Sequence, residues 1–243
     1  MKQLKVLSAV GLLAVAGAAH AGVSSTITAT NDYDFRGNTQ SAKDPALQIS
    51  LDYAHDSGFY AGAWASNVDF GTPDPDIELD VYTGFTQTFD SKFGYDVGVV
   101  YYSYHSDTDP GLNYFEVYAG VSYDWFKAKV FYSPKFAGDA AEAVAFANTG
   151  NDSASAFYIS TDASIPLPAN FSVSAHLGYS WGDYWDNAFG DKQIDYAVGV
   201  GYTAGKFNLA LKYVDTDSDV VVTSDAFNNE GRVVFTVATT LPW

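Results

Sequence analysis

Apolar and polar side chains alternate along this chain almost without a break, and a period of two sustained that long leaves room for little but β-strands. The stretch "FSVSAHLGYSW" is the cleanest case. Phe171, Val173, Ala175, Leu177, Tyr179 and Trp181 share one face, and Ser172, Ser174, His176, Gly178 and Ser180 the other. In "KFGYDVGVVYY", Phe93, Tyr95, Val97, Val99 and Tyr101 oppose Gly94, Asp96 and Gly98. The same period predicts twelve strands, over 24–36, 45–56, 58–69, 76–90, 92–105, 112–124, 126–136, 154–165, 169–181, 192–204, 206–215 and 231–243. The last keeps its register to the end, with Phe235 and Trp243 on its apolar face. Only "AGDAAEAVAFA", 137–147, tempts a helix assignment, as one short stretch in a long loop.

The connections alternate in length. "DSG" (56–58), "DSK" (90–92), "DW" (124–125), "PLPAN" (166–170) and "AGK" (204–206) are tight turns. Between them run longer polar loops, 37–44, 69–76, 105–112, 136–153, 181–192 and 215–230. Long–short alternation is what a single antiparallel meander produces when its two ends meet different surroundings. No linker, domain boundary or internal repeat interrupts it.

Strand length and face chemistry decide between a soluble β-protein and a membrane barrel. A tilted membrane strand needs roughly 9–11 residues, whereas globular strands average about 5–6. The segments here match the longer figure. Their apolar faces carry aromatics near the ends: Tyr33, Phe35, Tyr53, Phe59, Phe89, Phe93, Phe126, Phe171, Trp181, Phe207 and Tyr213. Such belts suit two membrane interfaces. The opposite faces carry Asp32, Asp34, Arg36, Asp52, Glu78, Asp80, Asp96, Glu116, Lys127, Lys129, Asp195 and Lys212. A dry sandwich core would not accept so many charges, but a wet lumen does. The expected fold is all-β: a transmembrane antiparallel up-and-down barrel of about 12 strands.

The N-terminus agrees with that destination. Lys2 and Lys5, the apolar run Val6–Ala19 and the small-x-small Ala19-His20-Ala21 describe a secretory signal peptide over 1–21, leaving a barrel over 22–243. The signal removes two lysines and no acid from a chain of 12 basic and 29 acidic side chains. So acidic a mature chain is a poor partner for nucleic acid. It has no cysteine, so no disulfide supports it. Phe235 and the terminal Trp243 on an alternating strand resemble the signature that the barrel-assembly machinery of the outer membrane reads in its clients.

Three constellations could carry chemistry. Inward charge is the main one: acids crowd the N-terminal half and the inward lysines the other, which would set up a transverse field acting on a small solute. The opposite outcome is a set of salt bridges that plugs the lumen. Aspartate-rich loops, 74–78, 107–111 and 215–219, suggest hard-cation ligands or bridging to lipopolysaccharide. After Asp215, Asp217 and Asp219, however, Val220 and Ala226 stand where an EF-hand needs Gly and Glu, so no metal is assigned. His55, His105 and His176 are too scattered for a hydrolytic trio, even with Ser174 near His176. No cofactor motif is present and no enzyme is expected.

"NDYDFRGNTQS" (31–41), "LDYAHDSGFYAGAWASNVDF" (51–70), "ELDVYTGF" (78–85), "YDVGVVYYSY" (95–104), "NYFEVYAGVSY" (113–123), "KYVDTD" (212–217) and "GRVVFTV" (231–237) resemble the TorF-type family of proteobacterial porin-like proteins. That resemblance implies an outer-membrane barrel without assigned catalytic residues or solute. The expected function is a narrow outer-membrane channel for passive passage of small hydrophilic solutes, mildly cation-preferring. The alternative is a closed structural or adhesive barrel whose loops bind lipopolysaccharide or another surface.

Overall fold

A computed structural model of the chain describes residues 22–71, 75–105, 111–190, 192–218, 222 and 224–242. The signal segment and Trp243 lie outside the described residues, as do Asp74, residues 107–110 and Asp219 of the aspartate-rich loops. The strands in chain order are β1 (Gly22–Thr30), β2 (Asp34–Phe35), β3 (Asn38–Thr39), β4 (Ala46–Ala54), β5 (Phe59–Asn67), β6 (Ile77–Thr88) and β7 (Phe93–His105). They continue as β8 (Tyr114–Tyr123), β9 (Phe126–Ser133), β10 (Ala156–Pro166), β11 (Phe171–Trp181), β12 (Gln193–Ala204), β13 (Phe207–Asp217) and β14 (Arg232–Pro242). All but β2 and β3 form one closed antiparallel barrel of twelve strands. The closing pair is β1 with β14, in register from Ser24 opposite Pro242 to Thr30 opposite Thr236. Closure removes the sheet edges, so backbone N–H and C=O groups within the wall are paired, as a lipid environment requires.

Eleven of the barrel strands fall within a few residues of the expected spans. The first does not. β1 stops at Thr30, where the alternation predicts a strand to residue 36, and the chain turns into the lumen as the β2–β3 hairpin. Its two-residue tip is Arg36 (φ 52°) and Gly37 (φ 83°), the left-handed pair that suits a tight hairpin with the twist of its strands. A Cβ at Gly37 would come within 2.3 Å of the Thr216 side chain, so the tip sits against the barrel wall and only glycine fits. Tyr33 and Phe35, expected in the lipid belt, instead pack inside: Tyr33 edge-on to Trp64 at 5.3 Å and Phe35 edge-on to Tyr102 at 6.1 Å. Helix α1 (Gly138–Thr149) and a short π-helix (Trp185–Phe189) cover the same end as this hairpin. The 137–147 stretch therefore forms a helix inside the long loop that the period-two reading expects.

The outer surface is the apolar phase of each strand. Leu47, Ile49 and Leu51 of β4, Val198 and Val200 of β12, and Leu177 of β11 are each at least half exposed. The inner surface is built from glycine–aromatic cross-strand pairs. Gly62 lies opposite Tyr82, Gly84 opposite Tyr60, and Gly98 opposite Tyr118. Each ring lies over its glycine: a Cβ at Gly98 would sit 2.4 Å from the Tyr118 hydroxyl. Lys129 and Lys212 lie the same way over Gly120 and Gly199. Inward glycines thus make lateral room for long lumen side chains to lie flat.

Candidate functional site

The lumen has two halves with different chemistry. In the half nearer the long loops, the hairpin folds inward and is pinned by charge. Arg36 at its tip meets Glu116 of β8 in two hydrogen bonds, Nη1 to Oε1 at 3.0 Å and Nη2 to Oε2 at 2.6 Å. The guanidinium also faces the rings of Tyr158 at 4.1 Å, Phe35 at 4.7 Å and Phe131 at 5.2 Å. Tyr102 donates its hydroxyl to Glu116 Oε2 at 2.9 Å. The hairpin's root is held by Arg232 of β14, which pairs with Asp32 and Asp34 and donates to the Gly37 carbonyl at 2.8 Å. Asp32 accepts in addition from the Thr39 hydroxyl.

Beside the hairpin stand two acids with no cation paired to them among the described residues. Glu78 and Asp80 of β6 are 1% and 0% exposed. Glu78 accepts from the Tyr104 hydroxyl at 3.1 Å, while neither Asp80 carboxylate oxygen has a hydrogen-bond partner there.

The half nearer the tight turns is lined by polar side chains that stay partly exposed. Asp96 takes a salt bridge from Lys129 at 2.5 Å and a hydrogen bond from the Tyr60 hydroxyl at 2.6 Å. Tyr60 and Tyr118 hydroxyls touch at 2.5 Å. Asp52 accepts from the Tyr82 hydroxyl and from the Ser50 hydroxyl at 2.6 Å. Where this half meets the hairpin tip, whose Gly37 abuts Asp195, His176 is bracketed by two carboxylates: its Nδ1 lies 2.7 Å from Asp162 and its Nε2 2.7 Å from Asp195, with the Tyr158 hydroxyl donating to Asp195 at 3.1 Å. Lys127 sits opposite Asp162 on the neighbouring strand, and Lys212 opposite Gly199.

Of the charges singled out from the sequence, Asp32, Asp34 and Arg36 come together from the infolded segment rather than from a first strand. Asp52, Glu78, Asp96, Glu116, Lys129 and Asp195 make the contacts above, Asp80 is buried beside Glu78, and Lys127 and Lys212 share the polar phase of their strands. Among the expected inward lysines, Lys129 pairs with Asp96, while the hairpin carries Arg36 to Glu116 of β8. Arg232 and Asp162 escape the sequence reading. Both sit on the polar phase of their strands, so the period-two pattern contains them. His176 enters the sequence reading only as a catalytic candidate, and its two ring nitrogens face carboxylates rather than a nucleophile. Phe235 points outward, 43% exposed, while its backbone N–H donates to the Asn31 side chain.

The fold is that of outer-membrane porins. A KdgM porin superposes with a TM-score of 0.54 at 10% identity, over 90% of this chain and 99% of that one. A NanC porin gives 0.55 at 10% identity, over 89% and 98%. A second KdgM structure, in complex with disordered oligogalacturonate, gives 0.53 at 9% identity, over 91% and 99%. At such identities the likeness concerns the fold. Among curated proteins nothing matches. The profile of a bacterial family of unknown function, Gcw_chp, matches residues 14–241, and the chain belongs to that family.

Proposed function

We propose that the protein is a narrow outer-membrane channel for passive passage of small hydrophilic solutes, mildly cation-preferring, with the infolded hairpin as its constriction. The observation that carries this reading is a closed barrel whose turn-side lumen is lined by partly exposed charged groups, with the Arg36–Glu116 pair holding the hairpin tip inside it. Acids outnumber cations along that path, and Glu78 and Asp80 pair with no described counter-ion, which favours cations at the constriction. The KdgM porin described with oligogalacturonate supports solute passage through barrels of this fold. Export by the 1–21 signal, recognition of Phe235 and Trp243 by the barrel-assembly machinery, and contact of the loops with outer-membrane lipid and lipopolysaccharide belong to the same proposal. Twelve strands enclose a space between the filled eight-stranded barrels and the wide sixteen-stranded porins, so a passage is feasible and easily occluded.

Planar-bilayer conductance of the refolded mature protein tests it. Discrete steps with a cation-biased reversal potential are expected, and Glu78→Lys with Asp80→Lys should move that bias toward anions. The second reading is the closed structural barrel, favoured by the near-complete burial of Glu78, Asp80 and Glu116 beside the hairpin. Conductance no greater than that of bare lipid, across salts and voltages, would establish the closed barrel instead.

A further inference from the structure

A cavity of about 510 Å³ opens above the hairpin at the loop end, within the size range of small-molecule sites. It lies between the outer side of the hairpin, the ends of β7 and β8, helix α1, the π-helix and the segment before β14. Two arcs of touching rings form its walls. One runs from Phe227 through Phe70 to Tyr104, with centroid spacings of 4.5 and 5.3 Å. The other runs from Tyr114 through Phe136 and Tyr184 to Trp185, at 4.8, 4.8 and 5.4 Å. The small side chains Ala137, Ala140 and Ala141 leave the space between the arcs free.

Several polar groups around this space are engaged by the protein. The Gln193 amide donates to the Arg36 carbonyl at 2.8 Å, and the Gln40 amide to the Thr39 carbonyl at 3.2 Å. The side-chain oxygen of Asn229 accepts from the Val222 backbone at 2.8 Å. The cation on the floor, Arg36, is neutralised by Glu116 and covered by rings. A hydroxyl-rich solute entering here would lose water and find these amide groups already engaged, and an anion would find the positive charge already taken. A flat apolar molecule would lose little and stack on both sides.

We propose that this vestibule is a binding site for an uncharged aromatic compound of one or two fused rings, held between the Phe227–Phe70 and Phe136–Trp185 arcs. The site goes beyond the channel reading and does not need an open lumen. Its test is calorimetric titration of the full mature protein in lipid nanodiscs with indole, with empty nanodiscs subtracted, and with benzoate and glucose as competing probes. Saturable one-site binding of indole is expected, with no saturable heat from benzoate or glucose. Ala140→Phe fills the space and should weaken binding at least tenfold. Phe227→Ala removes one wall ring and should weaken it about three- to tenfold. The heat-modifiable gel shift of a folded barrel checks both variants. Indole heat no greater than that of empty nanodiscs, equal binding of glucose, or full binding by a folded Ala140→Phe variant would overturn the proposal. Conductance of the same preparation separates the two readings. Steps without indole binding leave the channel and remove the vestibule site; indole binding without steps does the reverse.

Discussion

The guanidinium of Arg36 and the carboxylate of Glu116 form a two-pronged pair whose side chains are only 8% and 1% exposed, and this pair joins the hairpin tip to the barrel wall. A bidentate arginine–carboxylate contact fixes orientation as well as distance, so it sets where the hairpin tip sits against the wall.

Arg36→Met should cost about 3–5 kcal/mol, because it strands a buried Glu116 with the Tyr102 hydroxyl as its one remaining partner among the described residues. Arg36→Met with Glu116→Leu should recover most of that loss while leaving the tip untethered. Urea unfolding in lipid vesicles reads the stability, and single-channel recording should show larger steps for the double variant than for the wild type. Equal stability of the single and double variants would mean that the pair does not hold the hairpin.

Asp80→Asn should stabilise the barrel. A carboxylate sealed at 0% exposure, with no hydrogen-bond partner on either oxygen among the described residues, carries a desolvation cost that the neutral amide largely avoids. A gain of about 1–3 kcal/mol is expected in urea unfolding, in keeping with the usual cost of an unsatisfied buried polar group. Loss of stability in that variant would show that Asp80 has a stabilising partner.

Gly98→Ala should destabilise by about 1–3 kcal/mol, as overpacking does, and disturb the Tyr60–Tyr118 contact. The added methyl would lie 2.4 Å from the Tyr118 hydroxyl and 2.6 Å from the Thr83 carbonyl oxygen, and the second of these is wall backbone. Combining it with Tyr118→Ala should return part of the loss. Double-mutant unfolding measures that coupling, and strict additivity would refute the ring-over-glycine arrangement.

His176→Phe should cost about 3–5 kcal/mol, since it removes the counterpart of Asp195, a side chain only 3% exposed, and leaves Asp162 facing an apolar ring. It should also raise cation selectivity, because two lumen carboxylates are uncovered at once. Unfolding and reversal-potential measurements report the two effects separately.

Outside the barrel strands, Asp183 ties two loops by accepting from the hydroxyls of Ser153 at 2.6 Å and Ser155 at 2.9 Å. Those hydrogen bonds hold its carboxyl below the usual carboxylate range. A group lowered in the folded state stabilises above its ordinary range and loses that contribution as pH falls through its folded value. Hydrogen exchange near Ser153 and Ser155, corrected for intrinsic rates, should therefore quicken below about pH 4, the ordinary carboxylate range. Asp183→Asn should remove the step.

Most of the barrel was legible in the amino-acid order because each strand faces two media at once. With a side-chain period of two and lipid outside, a slip of one residue in the strand of Ile49 or Val198 would put apolar groups in the wet lumen and charge in lipid. Hence strand number, facing, the short turns and most strand ends followed from alternation. The same logic failed at residues 31–36, where Tyr33 and Phe35 continue the pattern but leave the wall. Their rings find Trp64 of β5 and Tyr102 of β7 inside the barrel, contacts separated by many residues in the chain and available only once the strands assemble. Which acid meets which cation was decided at the same level. Arg36 and Glu116 are 80 residues apart, and Arg232 and Asp32 are 200 apart. Alternation determines the face a charge occupies; the strand stagger and the path of an infolded loop determine its partner, because both are properties of the closed barrel and not of any one strand.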